Sequence, residues 1–417
     1  MIWNRTAATT AARERHGVRG RLRAAALAVA LLAVGCGGQN SSTGTSTAHG
    51  APIKVGAMCD MTGLYNFTEA CDAAKAYFEK VNSEGGVAGR PIEYHVEDSA
   101  SNAGTTAQVG TRLVDQTKVV ALVGGSNGNQ CTQIGRLMAA EKVYALDGQS
   151  ADSACWRSPY ATPLNNGPKL SLAVSAYFMM RNLGGDDVCT MWNSRSDSEK
   201  ALENLERILK KLTGSEFRKV LEWTGGDLTP LVTQVRQNGC KAVILGGSAA
   251  TYVSLMQTAA NQGMTDGSVV WLGLGTGYTE KTRKSVRADG YWSNSEFLPW
   301  SLDTDSLNEF RALQKEHGFL LDSTAESGYT AAKLFVTALK GIKGTIDRQS
   351  VGLALKSMKS VSTDGLTAKP FTWGQPNVSG QFLELKNGEW SPYGGSTGKW
   401  YTLPASDEDV RSLLTTD

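Results

Sequence analysis

The stretch VNSEGGVAGRPIEYHVEDSASNAGTTAQ, residues 81–108, contains the structural unit that repeats along this chain. It opens on the end of an amphipathic helix and passes through the turn GGVAGRP into IEYHVED, Ile92 to Asp98, whose alternating residues indicate a strand. A further helix is expected from about Asn102 to Gln116. Helices and strands joined by such short turns predict an α/β fold, in which helices cover both faces of a parallel sheet.

The same alternation extends in both directions from this stretch. Upstream, Ile53 to Met58 is a short apolar strand, and Phe67 to Asn82 has apolar residues at helical spacing. Downstream come the strands VVALVGG and VYAL, and the alternation then restarts with DVCTMW, FRKVLEW, AVILGG and VVWLGL. Two successive sheets predict two similar lobes. The tail adds a strand pair around Lys386-Asn387-Gly388, because Asn-Gly between alternating runs is a hairpin signal.

The amino-terminal residues have the pattern of an export signal. Six arginines and one acid within the first 23 residues precede the apolar run Ala24–Gly35. That run is too short to span a membrane as a helix, which needs about 20 residues. It ends at Ala33-Val34-Gly35-Cys36, which resembles the lipobox of bacterial lipoproteins, so we expect cleavage before Cys36 and lipid on its thiol. An ordinary cleavage site beside a chance cysteine is the alternative.

The residues after Cys36 predict a flexible tether. Gly, Ser, Thr, Asn and Gln dominate the segment 37–50 and bury too little surface to offset their ordering entropy. The rest of the chain is long enough for two domains of ordinary size. Without the signal it has 36 basic and 39 acidic residues, a charge of about −3, which argues against nucleic-acid binding.

Six cysteines follow Cys36, and an even number in an exported chain suggests disulfides. Sequence alone leaves many pairings open, and we expect neighbours in order to pair: Cys59–Cys71, Cys131–Cys155 and Cys189–Cys240. Buried free thiols are the alternative. The cysteines lack CxxC spacing, and neither a metal nor a cofactor is expected. A secreted α/β hydrolase is a weaker alternative, since beyond the tether the only histidines are His95 and His317.

Several stretches, in this order, resemble the leucine/isoleucine/valine-binding family, the type I solute-binding proteins of bacterial ABC transporters. They are residues 81–108, VVALVGGSNGNQ, TPLVTQVRQNGCKAVILGG and ESGYTAAKLFVTAL. The resemblance implies a type I periplasmic binding protein fold, with two doubly wound parallel-sheet lobes joined by a hinge of three crossovers. It assigns residues 1–35 to the signal peptide, 36–52 to the lipidated cysteine and tether, 53–164 plus 299–364 to lobe 1, and 165–298 plus 365–417 to lobe 2.

The resemblance also implies a function. A protein of this kind is an extracytoplasmic, lipid-anchored monomer that captures a small polar solute, of the amino acid, amide or carboxylate class, between its lobes. It delivers that solute to an ABC permease in the membrane and does no chemistry on it. A ligand sensor of the same fold, which signals to a membrane partner, is the alternative.

The candidate binding residues lie in the loops that follow strands, because ligands of open parallel sheets bind at the carboxyl ends of the strands. For each residue, a solvated loop or a core position is the alternative. The expected ligand-binding residues are Tyr65, Phe67, Asn127, Asn129, Gln130, Gln149, Ser150, Asp152, Asp197, Ser248, Tyr252, Thr276 and Tyr278.

Three anchors that amino-acid binders of the family use are replaced in this chain. A gapless match puts Gly128 where a hydroxyl helps to hold the carboxylate, and Ala151 where a threonine binds both ends of the amino acid. Gly275 falls on the acid that pairs with the ammonium. Because a buried ammonium needs a partner, we expect a neutral polar or amide-like solute, or a carboxylate without an amine, rather than a branched-chain amino acid.

Overall fold

The computed structural model describes residues 50–183, 185–192, 199–222 and 226–414. The expected signal, the lipidation site Cys36, most of the tether and the candidate residue Asp197 lie outside these ranges. Within them, no helix combines the length and the apolar character needed to cross a bilayer.

The described residues form fourteen strands. These strands are β1 (Ile53–Cys59), β2 (Ile92–Asp98), β3 (Ala121–Val123), β4 (Ser126–Asn127), β5 (Tyr144–Leu146), β6 (Gln149–Ser150), β7 (Val188–Trp192), β8 (Lys219–Glu222), β9 (Ala242–Leu245), β10 (Val270–Gly273), β11 (Tyr291–Ser295), β12 (Ser379–Lys386), β13 (Glu389–Pro392) and β14 (Tyr401–Thr402).

Thirteen α-helices connect and cover these strands in the same part of the chain. They are α1 (Thr68–Ser83), α2 (Ala103–Thr111), α3 (Gln130–Glu141), α4 (Ser153–Arg157), α5 (Gly167–Asn182), α6 (Glu199–Thr213), α7 (Thr229–Gln237), α8 (Ala249–Asn261), α9 (Glu280–Ser285), α10 (Asn308–His317), α11 (Ser323–Gly341), α12 (Arg348–Ser357) and α13 (Asp407–Leu414).

The first sheet is parallel throughout. β1 pairs with β2 on one side and with both β3 and β4 on the other, because Gly124 and Gly125 interrupt that neighbouring strand. β5 and β6 continue the sheet from β3 and β4 in the same way. A side chain at Gly125 would place its Cβ 2.7 Å from the carbonyl oxygen of Met58. Glycine there lets two strands approach closely just before their carboxyl ends.

The second sheet has the order β13-β12-β11-β10-β9-β7-β8. Its strands β7 to β11 run parallel, whereas β12 and β13 join as an antiparallel edge. Asn387 and Gly388 turn the chain between these two strands, both with positive φ, so the predicted hairpin is confirmed. Strand β11 was not expected from the sequence, because its residues YWSNS are half polar although all five are buried.

Helices cover both faces of each sheet, so the predicted α/β architecture with two parallel sheets is confirmed. On the first sheet, Val55 and Val123 face one buried cluster and Met58 and Leu122 face another. Helices α11 and α12 return from the second sheet to pack on the first, while β12 returns to the second. The chain therefore passes between the two sheets three times.

Three disulfides tie these elements together, and all three predicted pairings are confirmed. Cys59–Cys71 joins the end of β1 to α1, and Cys131–Cys155 joins α3 to α4. Cys189–Cys240 joins β7 to the residue two positions before β9. Each such bond in a secreted domain typically contributes about 2–4 kcal/mol to stability.

Helix α11 contains a buried carboxyl group without a partner. Glu326 is fully buried, and neither of its carboxyl oxygens has a hydrogen-bond partner among the described residues. Burial raises the pKa of Glu326 well above its ordinary value, with Arg311 opposing the shift and Asp322 adding to it. The folded protein therefore keeps a proton on Glu326 to a higher pH than the unfolded chain, which releases it above about pH 4.5.

Replacing this carboxyl group is expected to flatten the pH dependence of stability. Because the folded state holds one more proton than the unfolded state, stability is lost as pH rises, by up to about 1.4 kcal/mol per pH unit. Glu326→Gln keeps the shape and removes the titration, so its free energy of unfolding should fall less steeply between pH 5.5 and 8. Urea unfolding at several pH values measures this slope. The exposed Glu316→Gln is the control, and equal slopes in the wild type and Glu326→Gln would contradict the prediction.

Candidate functional site

A cavity of about 380 Å³ lies where the carboxyl ends of the two sheets meet. The first sheet contributes the loops after β1, β4 and β6, and the second sheet contributes those after β9, β10 and β11. The crossover from Asn165 into the first turn of α5 completes the wall. The cavity is thus bounded by both sheets and by the segment that connects them.

The loop after β1 supplies much of the apolar wall. The rings of Tyr65 and Phe67 stack with their centroids 5.7 Å apart, and Leu64 beside them is 72% exposed. The disulfide Cys59–Cys71 closes this loop from buried positions. The backbone N–H of Tyr65 donates to Ser101 Oγ at 3.0 Å. The disulfide and this hydrogen bond therefore fix the loop that carries the aromatic pair.

Asp60 fixes three of the loops to one another. Its carboxylate accepts hydrogen bonds from Ser99 Oγ at 2.6 Å, from the Ser101 N–H at 3.0 Å and from the Gly128 N–H at 3.3 Å. Asn127 Nδ2 donates to it as well, at 3.3 Å. Burial raises the pKa of Asp60, while the donors oppose that shift. With four donors already in place, Asp60 is a structural centre of the wall.

Other polar groups of the first sheet are left open to the cavity. Ser126 and Gln149 are buried in the wall, and Asn129 lies at its edge. Within the described ranges, the side chains of these three residues have no hydrogen-bond partner in the protein. The amide oxygens of Gln149 and Asn129 are therefore available as acceptors to a bound molecule. The amide N–H groups of these two residues and the hydroxyl of Ser126 are available as donors.

The second sheet presents a more rigid polar surface. Ser248 and Thr251 form a capping box at the start of α8. Behind them, the Tyr252 hydroxyl accepts a hydrogen bond from the Gly247 N–H at 2.9 Å and contacts Thr276 Oγ1 at 3.2 Å. The loops after β9 and β10 are thereby fixed to each other.

Glu296, directly after β11, brings a carboxyl group to this wall. It is 4% exposed, and its Oε2 accepts the Asn166 N–H at 3.1 Å. Burial raises the pKa of Glu296 to about 7, against hydrogen bonds from Ser171 and Asn166. A Cβ added at Gly275 would lie only 3.1 Å from Glu296 Cδ. The space beside Gly275 is thus filled by an acidic side chain from the neighbouring strand.

The sequence profile of the periplasmic binding protein family matches residues 52–389, most of the described chain. The chain belongs to the periplasmic binding protein family. The resemblance to type I binding proteins, and the fold class that it implied, are confirmed. No curated protein matches the chain at a significant level.

Solved structures of this family share the fold. A fatty acid ABC transporter substrate-binding protein from Thermomonospora curvata has a TM-score of 0.73 and 19% identity, over 88% of this chain and 96% of that one. A branched-chain amino acid substrate-binding protein from Streptococcus pneumoniae, in complex with isoleucine, has a TM-score of 0.68 and 17% identity, over 81% and 97%. A solute-binding protein from Rhodopseudomonas palustris, in complex with 3,4-dihydroxybenzoic acid, has a TM-score of 0.70 and 20% identity, over 86% of this chain and 99% of that one.

The cavity of this binding protein collects most of the residues expected from the sequence. Those that line it are Tyr65, Phe67, Asn127, Asn129, Gln149, Ser150, Ser248 and Thr276. Four others, Gln130, Asp152, Tyr252 and Tyr278, do not line it. Glu296, Asn166 and Trp156 also line the cavity but were not among the expected residues. Glu296 follows β11 and Asn166 lies in the first crossover, two segments that were not assigned to strand ends, whereas Trp156 lies on the short helix α4.

The four residues off the wall are engaged with the protein itself. Gln130 donates to the Asp147 carboxylate at 2.8 Å. Asp152 accepts from the Thr132 N–H at 2.7 Å and caps α4. Tyr278 is fully buried, and its hydroxyl donates to Ser301 Oγ at 2.7 Å. With Tyr252, they support the loops from behind. The sequence suggested them because they lie near strand ends, but such a position does not reveal which way the side chain points.

One stretch of the wall, Gly124-Gly125-Ser126-Asn127-Gly128, has the Gly-x-Ser-x-Gly spacing of a hydrolase nucleophile elbow. A serine nucleophile needs a base within hydrogen-bond reach. Neither His95 nor His317 lines the cavity, and each lies beside a glutamate instead, Glu93 and Glu79 respectively. Among the described residues, neither histidine is therefore placed to activate Ser126.

Removing the disulfide behind the aromatic loop is expected to loosen that loop selectively. In Cys59→Ser/Cys71→Ser, amide hydrogen exchange in residues 60–70 should quicken at least about tenfold, because a short closed loop becomes an open one. The matched control is Cys189→Ser/Cys240→Ser, which removes a disulfide of the second sheet. Both variants should lose stability, but only the first should change exchange in residues 60–70. Equal acceleration there in both variants would contradict the prediction.

Proposed function

We propose that this binding protein captures a small polar solute between two lobes and delivers it to an ABC permease. In this proposal, lobe 1 comprises residues 53–164 plus 299–364, and lobe 2 comprises 165–298 plus 365–417. Binding and closure about the hinge are the whole mechanism, with no chemistry on the solute and no cofactor. The observation that carries the proposal is a single cavity walled by strand ends from both sheets.

The lining of the cavity suits a small molecule with polar groups on an apolar frame. Tyr65, Phe67 and Trp156 offer aromatic surface, while Ser126 and Gln149 offer open hydrogen-bonding groups. A volume of about 380 Å³ lies in the range of small-ligand sites. Proteins of like fold bind isoleucine in one case and 3,4-dihydroxybenzoic acid in another. We therefore infer the type of site from the fold and the class of solute from this chain's own residues.

Capture for import requires a place outside the cytoplasmic membrane, and we propose that Cys36 supplies it as a lipid anchor. The apolar run before Cys36 and the polar tether after it support this anchor. The three disulfides fit an oxidising, extracytoplasmic compartment. The cavity is formed within a single chain, so we propose that a monomer is sufficient.

A melting-temperature screen of the purified protein tests this function. The panel contains zwitterionic amino acids, amines, amides, carboxylates and sugars. A solute at 100 times its dissociation constant adds about 2.7 kcal/mol of stability, which should raise the melting temperature by a few degrees. We expect at least one chemical class to do so.

A variant with a blocked cavity gives the control. A Cβ at Gly128 would have only Asp60 Oδ2 within 4 Å, at 3.8 Å, so Gly128→Leu should extend into open cavity space. It should abolish the shift, whereas Gly135→Leu, on the outer side of α3 with no neighbour within 4 Å, should keep it. Shifts that persist in Gly128→Leu would contradict binding in this cavity.

A further inference from the structure

The carboxyl group of Glu296 is unlike that of Asp60, although both are buried in the cavity wall. Asp60 has four donors, whereas Glu296 has two, the Asn166 N–H and the Ser171 hydroxyl. A carboxylate offers about four acceptor positions. In the described part of the chain, no lysine, arginine or histidine nitrogen lies within 4 Å of its oxygens. Glu296 therefore has unused capacity for a donor.

The backbone around Glu296 is built to hold it at the cavity. Asn377 Nδ2 donates to the Glu296 carbonyl at 3.0 Å, and Asn166 Nδ2 donates to the Ser379 carbonyl at 3.1 Å. These bonds join two of the three crossovers directly beside the acid. Gly275 leaves room for the acid, because a Cβ there would contact Glu296 Cδ, Cγ and Oε1 at 3.1–3.2 Å. A fixed, partly satisfied carboxyl group at a cavity wall is a site for a ligand group.

The other charged or titratable groups near Glu296 do not replace that ligand group. Tyr252, on α8, lies close enough for Glu296 to raise its pKa. Asp60 and Lys169 line the same cavity. Asp60 is an acid, like Glu296, and already has its donors, and Lys169 has a partner of its own.

We propose, on the basis of the proposed function, that Glu296 binds a protonated nitrogen of the solute, such as an amidinium, guanidinium or ammonium group, and releases its own proton to the solvent on binding. A buried carboxyl group ionises readily only when a cation or strong donors compensate the charge. The solute supplies that cation. The aromatic rings of Tyr65, Phe67 and Trp156 line the cavity that receives the rest of the molecule and also favour positive charge.

This assignment changes the expectation from sequence. The replacement of the ammonium-pairing acid by Gly275 favoured a solute without an amine. The structure shows an acid beside that glycine, so a cationic nitrogen has a partner after all. The positions Gly128 and Ala151 still lack the side-chain hydroxyls that hold an amino-acid carboxylate, so a cation without a carboxylate is the class that these residues fit.

Isothermal titration calorimetry with three probes of one shape tests the proposal: benzamidine, benzamide and benzoate, which are cationic, neutral and anionic. The wild type should bind benzamidine at least about tenfold more tightly than benzamide, because a charge-assisted hydrogen bond replaces a neutral one. Titrations in phosphate and in Tris report the protons exchanged. A fraction of a proton should be released at pH 7, because burial raises the pKa of Glu296 to about 7.

Glu296→Gln keeps the size of the side chain and removes its charge and its proton. It should weaken benzamidine binding about tenfold or more, abolish proton release and leave benzamide binding within about threefold of the wild type. Glu384→Gln, on the adjacent strand β12, is the matched control and should change neither readout.

The outcomes separate this inference from the proposed function. Equal or tighter binding of benzamide or benzoate, or benzamidine binding without proton release, overturns the role of Glu296 and leaves solute capture intact. So does a hit from the melting screen that carries no cationic nitrogen. Absence of binding by the three probes and by every solute of the screen counts against solute capture itself.

Discussion

The structure depends on one constraint of parallel β-sheets: strands that run in the same direction all end at the same edge. Strands β1 to β6 run parallel in the first sheet, and β7 to β11 run parallel in the second. Because the chain passes between the sheets three times, the two edges face a common space. Backbone groups at these ends are no longer paired within the sheet, so polar side chains gather there. The binding cavity is a consequence of the topology.

Buried carboxyl groups show how this edge is used in two ways. The acceptor positions of Asp60 are taken up by hydrogen bonds from Ser99, Ser101, Asn127 and Gly128. Asp60 thereby joins loops that follow different strands. Glu296 is equally enclosed but less satisfied, and burial raises its pKa to about 7. The first arrangement gives a rigid wall. The second leaves a group whose charge depends on what occupies the cavity, which is how a binding site distinguishes a cation from a neutral molecule of the same shape.

Local patterns in the sequence predicted most of the fold, since short apolar strands, amphipathic helices and the Asn387-Gly388 turn all act within a few residues. The expectation that neighbouring cysteines pair in order is confirmed, although the sequence left other pairings open. Helices α12 and α13 are short and were not predicted. Strand β11 was missed because its residues are half polar, and its place depends on burial between two strands. Several of the loops that line the cavity were predicted, but the direction of side chains such as Gln130 and Tyr252 depends on tertiary packing. Glu296 was missed for a related reason: residues 275 and 296 become neighbours only when β10 and β11 pair.

We propose that one solute is held between the two sheets by groups from both, and a crystal structure of the protein with the tightest solute from the melting screen tests this directly. The solute is expected in the cavity, with a cationic nitrogen within about 3 Å of the Glu296 carboxylate and its apolar part against Tyr65 and Phe67. A solute bound outside the cavity, or in contact with residues of only one sheet, would contradict it.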